Sequence, residues 1–276
     1  MDLIVHNILV SNRFEMFSSL MDMGTYTPLA AYAVAFLGSV LGLLSAERAR
    51  HASRTTRNWW IGVAAVSIGG LGIWGMHFTA MLGTWMGANV AYDIPITLLS
   101  MIVAIVVVAA GLFLVRRYGI NGDTRFWPLA AGGLVTGLGV AAMHYTGMSA
   151  IVINADVSYN PGLVALSVLI AVVASTVALW FTRKVSGLLA VIGAALVMGV
   201  AVTGMHYTGM YAMKMAHDHS ASIVVGNSHE LITSLIIGGA GVSVIIIFLL
   251  ALTSSDEESR EEAELLDRVM RRTSRG

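Results

Sequence analysis

Seven stretches of about 20 apolar residues dominate this chain, and none carries an Asp, Lys or Arg in its middle. They run roughly over 27–46, 59–84, 95–115, 127–151, 162–182, 187–212 and 231–252. An α-helix rises about 1.5 Å per residue, so ~20 residues cross the ~30 Å hydrocarbon core of a bilayer. A helix also satisfies its own backbone in lipid. The pattern therefore predicts an all-α integral membrane protein of seven transmembrane helices. Of the 276 residues, 57% are hydrophobic and only 12% are charged, too few charges for a soluble domain of this length. The lipid bilayer is the expected partner, and no nucleic acid is.

The cations set an orientation. Arg48, Arg50, Arg54 and Arg57 follow the first span, and Arg116, Arg117 and Arg125 the third. Arg183 and Lys184 follow the fifth, and Arg260, Arg268, Arg271, Arg272 and Arg275 the seventh. Only Arg13 and Lys214 fall on the other side. Cations resist translocation, so the crowded side is cytoplasmic, the N-terminus outside and the C-terminus inside. Three segments follow: an external N-terminal segment over 1–26, the seven-helix domain over 27–252, and a cytoplasmic tail over 253–276. The first does not read as a cleaved signal peptide, because it opens with Asp2 and its apolar run is broken by His6 and Asn7. Met16, Phe17, Leu20 and Met21 would give it an apolar face for the interface.

The ionisable residues at membrane depth belong to a motif that appears three times. "MHFTAM" stands at 76–81, and "MHYTGM" at 143–148 and again at 205–210. His77, His144 and His206 recur at intervals of about 65 residues, each late in an even-numbered span. The helices are thus expected to form three hairpin repeats (1–2, 3–4, 5–6) plus one. Counted from Trp59, Trp127 and Ser186, the histidines lie about 25–30 Å across the membrane, at one level near the outer face. Glycines on the even helices, and GxxxG spacings at Gly38 and Gly42 and at Gly133 and Gly137, would let those helices converge.

Around one helix, each copy makes an arc. With His144 as the zero direction, Met148 falls about 40° to one side and Met143 about 100° to the other, with Gly147 between them. Met205, His206 and Met210 repeat the arc around Gly209, and Met76, His77 and Met81 around Ala80. Thr79, Thr146 and Thr208 face away and are expected to bond a carbonyl one turn earlier. Tyr145 and Tyr207 fall where interfacial tyrosines are common, and Phe78 replaces them in the first copy.

The chain has no cysteine, so thiolate sites and iron–sulfur clusters are excluded. Thioether and imidazole together suit copper, above all Cu(I), whereas calcium and magnesium want carboxylates that the ring lacks. Haem held by two histidines, or by His and Met, is the chemical alternative, with one histidine spare. Ordinary packing and hydrogen bonding of His and Met stand beside both. A metal-handling permease is the transport reading. No nucleophile–base pair, phosphate loop or carboxylate pair supports hydrolysis or phosphoryl transfer.

The tripled motif at the outer ends of three helices, with a seventh span following, resembles the MHYT domain family. The resemblance covers about residues 27–252. It implies a sensory or signalling domain of the bacterial cytoplasmic (inner) membrane. It also implies copper bound through Met76, His77, Met81, Met143, His144, Met148, Met205, His206 and Met210, with sensing of oxygen, carbon monoxide, nitric oxide or redox state. Many relatives continue into cyclic di-GMP synthesis or degradation domains. About 23 residues follow the last span here, so the chain is expected to be no enzyme itself and to signal through another polypeptide.

Three outlying features complete the reading. His217, Asp218, His219, His229 and Glu230 crowd the loop after the sixth span, as a second metal site or a solvated loop. Asn89, Asp93, Asn154 and Asp156 read as loop and capping residues. The tail runs from acidic to basic, with Leu265, Leu266, Val269 and Met270 as a short apolar stripe. That stripe suits a cytoplasmic signalling partner, a second copy of the chain, or the lipid surface.

Overall fold

A computed structural model of the protein describes residues 26–83, 91–118, 126–152, 155–217 and 230–250. The tail, Asn89, Asn154, Asp218, His219, His229 and all but the last residue of the expected external segment lie outside these residues.

Seven helices long and apolar enough to cross a membrane stand on the seven predicted spans. They are α1 (Tyr26–His51), α2 (Arg54–Leu82), α3 (Ile94–Tyr118), α4 (Phe126–Ser149), α5 (Pro161–Lys184), α6 (Leu188–Ala212) and α7 (Glu230–Leu250). The first six close into a ring. Each packs on its neighbours in chain order, and α6 returns to α1. The odd helices α1, α3 and α5 therefore sit between the histidine-bearing helices α2, α4 and α6. Helix α7 stands outside the ring along α2, with Ile232 and Ile236 reaching the common core. At its far end the Leu250 carbonyl accepts a 3.0 Å hydrogen bond from Arg48 of α1.

Small residues set the helix spacing, as lipid-embedded packing demands. A Cβ on Gly38 of α1 would stand 2.3 Å from the Gly72 nitrogen of α2, and one on Gly137 of α4 would stand 2.4 Å from Val172 Cα of α5. These glycines bring odd and even helices together. Convergence of the even helices, expected of the same glycines, comes instead from Gly147 and Gly209, described below. Helix α2 also differs from its counterparts. Val66–Gly75, immediately before the first motif, winds as a π-helix, a wider turn that often accompanies function.

Two details add to the expected spans. The cations that follow the first span lie on helix, because α1 continues to His51 and α2 starts at Arg54. Arginine is a good helix former, and its long stem carries the charge to water, so a helix need not end where the bilayer does. The fold is all-α, as expected, with two short ribbons added outside the spans. Among the described residues, β1 (Ala91–Tyr92) pairs antiparallel with β2 (Ile151–Val152), and β3 (Ala155–Tyr159) with β4 (Met213–His217). These ribbons join the segments that follow the three motifs, and His217 and Asp156 belong to the second. Asp93 does cap a helix, accepting from the Ile96 amide at 2.9 Å. Asn160 caps α5, taking the amides of Gly162 and Leu163.

Candidate metal centre

The three motifs end α2, α4 and α6, and the ring brings those ends to one point. His77, His144 and His206 are 1%, 0% and 0% exposed. Each offers a nitrogen within 4.8 Å of the others. Their Nδ1 atoms face one another, with His77 2.9 Å from His206 and 3.2 Å from His144. The rings stand edge to face, with centroids 4.9–5.2 Å apart.

Proton bookkeeping shows what this cluster lacks. A neutral imidazole has one donor and one acceptor. His77 Nδ1 lies in both short contacts, and one ring nitrogen cannot serve both well. The three Nε2 atoms are buried without a hydrogen-bond partner among the described residues. A buried polar group left unpaired costs about 1–3 kcal/mol. Three convergent lone pairs invite a cation. Tetrahedral ligands at ~2.0 Å from a metal lie about 3.3 Å apart, close to the spacing found.

The outward-facing nitrogens explain the small fifth residue of the motif. A Cβ on Gly147 of α4 would stand 2.5 Å from His77 Nε2 of α2, and one on Gly209 of α6 would stand 2.2 Å from His144 Nε2 of α4. The His77 and His144 imidazoles thus each seat in a notch of the next histidine helix. The notch was readable only as a small position inside an arc, because its occupant comes from another helix.

The third motif residue is also more than interfacial. Phe78, Tyr145 and Tyr207 each present an edge-to-face contact to the histidine before them, at 4.8, 4.9 and 5.1 Å. The ribbons add a second tier. Tyr92 meets Phe78 edge to face, and Tyr159 meets Tyr145 likewise, both at 5.7 Å. Burial raises the pKa of the Tyr92 hydroxyl. Tyr145 shares a 2.8 Å hydrogen bond with Ser167 of α5. An aromatic in all three copies was the available signal. The hydroxyls of Thr79 and Thr208 reach the carbonyls of Gly75 and Gly204, as expected. Thr146 instead lends its carbonyl to Ser149.

Of the methionines, Met76, Met81, Met143, Met148 and Met205 are buried and Met210 partly so. Met76 packs with Ala31, Ala35 and Ala80 in a small cluster of its own. Met81, Met143, Met148 and Met205 belong to the main core, with Met210 against it. Below the triad, Met205, Val140 and Ile73 border a cavity of about 50 Å³. A second cavity at the α5–α6 seam shares Ala174, Met198 and Ala201 with it.

Comparison with known proteins agrees with this architecture. Residues 70–125 and 137–195 match the family model described as MHYT, a bacterial signalling protein N-terminal repeat. Both segments run from a histidine helix into the helix that follows. The chain is similar to the bifunctional diguanylate cyclase/cyclic di-GMP phosphodiesterase MucR of Pseudomonas aeruginosa, 42% identical over 65% of this chain and 26% of that protein. It is 35% identical to the cyclic di-GMP phosphodiesterase NbdA of the same organism, over 70% of this chain and 25% of the relative. With the signaling protein YkoW of Bacillus subtilis it shares 34% identity, over 58% and 20%. The chain thus spans about a quarter of the length of these relatives. No solved structure matches. The two matched repeats carry His77 and His144, so this membrane protein contains two copies of the MHYT repeat of bacterial signalling proteins.

Proposed function

We propose that this chain is a sensory module that holds one copper ion on the Nδ1 atoms of His77, His144 and His206. The observation that carries the reading is the convergence of three fully buried imidazoles on one point, without a carboxylate among them. The donors are borderline to soft, which favours Cu(I) over hard cations. Met81, Met148 and Met210, one helical turn beyond the histidines in sequence, would supply the thioethers that complete the coordination. Met76, Met143 and Met205, each one residue before a histidine, are the remaining thioether candidates. Bound copper would supply affinity for a diatomic gas and a one-electron couple.

The protein's own part is orientation and access. The notches at Gly147 and Gly209 and the aromatic neighbours hold the rings, and the buried setting keeps bulk water away. The small cavity below Met205 suits a diatomic molecule arriving from lipid through the α5–α6 seam. Its volume is far below that of a porphyrin, which favours an ion over haem. The names of two relatives carry cyclic di-GMP turnover, so the output we propose is control of that turnover from the cytoplasmic side of a bacterial membrane. The N-terminus is outside in this reading, as the cation asymmetry requires.

Elemental analysis and an absorption spectrum of the detergent-purified chain test the proposal. One copper per chain, lost in His77→Ala, His144→Ala and His206→Ala, is expected. A Soret band in place of copper would replace it with haem.

A further inference from the structure

At the end of the ring opposite the histidines, about 30 Å away along α2, four helices surround a cavity of about 380 Å³. Arg50 of α1, Arg57 of α2, Arg116 of α3 and Arg183 of α5 all line it. Cations at the cytoplasmic ends of spans ordinarily point outward to water and headgroups. Here four guanidinium-bearing side chains from four different helices, all half-buried, border one space.

Hydrogen bonds fix three of them. Arg50 donates to the carbonyls of Thr182 and Val185, Arg57 to that of Ala52, and Arg116 to Asn58 Oδ1 at 2.8 Å. Each guanidinium has five donors, so each keeps N–H groups to spare. Compensating charge is scarce. No carboxylate lines the cavity among the described residues. Glu47 lies 3.9 Å from Arg50, and the same oxygen already accepts from the Gly187 amide. The charged groups acting on Arg116 are Arg57 and Arg54, which repel it. Deeper in, Ile61, Leu112 and Val115 make an apolar floor.

We propose that this arginine-lined mouth is a binding site for a phosphate-bearing ligand. Forked guanidinium groups match tetrahedral phosphate oxygens, and converging arginines supply the charge that phosphate needs. The apolar floor suits a ligand whose phosphate is joined to a hydrocarbon part. An anionic lipid headgroup entering from the cytoplasmic leaflet and a soluble phosphate share this chemistry. The site is independent of the histidine centre and of whatever that centre holds.

The full chain in nanodiscs separates the two sources. In neutral phosphatidylcholine discs, inorganic phosphate should raise the Tm relative to chloride at matched ionic strength. In discs containing phosphatidylglycerol, native mass spectrometry should find that lipid retained over phosphatidylcholine. A response in the first arm assigns a soluble ligand, and one in the second alone assigns a lipid. Arg116→Gln with Arg183→Gln should weaken the responding arm by about tenfold per arginine. Arg116→Lys with Arg183→Lys, which keeps the charge, should weaken it less and guards against misfolding. No response in either arm, or an unchanged response in the Gln pair, overturns the proposal. So does a response that appears only when Glu257, Glu258, Glu261 and Glu262 become Gln, because the acidic tail would then be the occupant.

Discussion

His77 Nε2 lies where a Cβ on Gly147 would stand only 2.5 Å away. Two motif copies on different helices are therefore interlocked, the ring of one filling the space left by the missing side chain of the other. Gly209 repeats the relation with His144. Gly147→Ala or Gly209→Ala must push an imidazole out of line. We expect a loss of about 1–3 kcal/mol from overpacking and copper content well below that of the parent chain. Gly193→Ala, on the same helix as Gly209 but with nothing within 4 Å of its Cβ, should change neither Tm nor copper.

The aromatic after each histidine acts through its ring. Phe78 does the work of Tyr145 and Tyr207 without a hydroxyl. Tyr145→Phe loses only the bond to Ser167, worth about 1 kcal/mol, and should keep its copper. Tyr145→Ala removes the edge that His144 rests on and should lose copper as well as stability. Thermal melts paired with metal analysis distinguish the two.

The close approach of α1 to α2 tolerates no side chain. At Gly38 the obstacle to a Cβ is the Gly72 backbone, which cannot swing aside. Gly38→Val should prevent ring closure, so that size-exclusion chromatography in mild detergent shows aggregate in place of a monodisperse peak. Gly62→Ala, at an open position on α2, should elute like the parent.

Methionine ligation can be separated from methionine packing. Leu and Met have similar volumes, so Met81→Leu and Met148→Leu should cost less than about 1.5 kcal/mol. The three nitrogens should still hold metal in these variants. Affinity for Cu(I) should fall by about tenfold for each thioether lost, read by competition with a colorimetric Cu(I) chelator. Unchanged affinity would mark these methionines as packing residues.

Much of this was readable from residues alone, and for a definite reason. Crossing a bilayer depends on hydropathy summed along ~20 consecutive positions, a one-dimensional property, so the seven spans stood out. The convergence of His77, His144 and His206 followed from equal depth in three repeated units. What stayed hidden depends on how one helix is turned toward another. The seating of His77 on Gly147, the ring contacts of Phe78 and Tyr145, and the meeting of Arg50, Arg57, Arg116 and Arg183 all join residues from different helices or tiers. The ribbons escaped for a different reason. Ala155–Tyr159 and Met213–His217 are too short for hydropathy to distinguish from loop, and their partners lie far apart in sequence.

The central claim is that three imidazoles share one ion, and copper per chain measures it most directly. The detergent-purified protein, loaded with Cu(I) under reducing conditions and freed of excess metal, should carry one copper by mass spectrometric elemental analysis. Each of His77→Ala, His144→Ala and His206→Ala should carry close to none while still eluting as a folded species. Copper absent from the parent chain, or retained in full by any one of the three variants, would contradict the account.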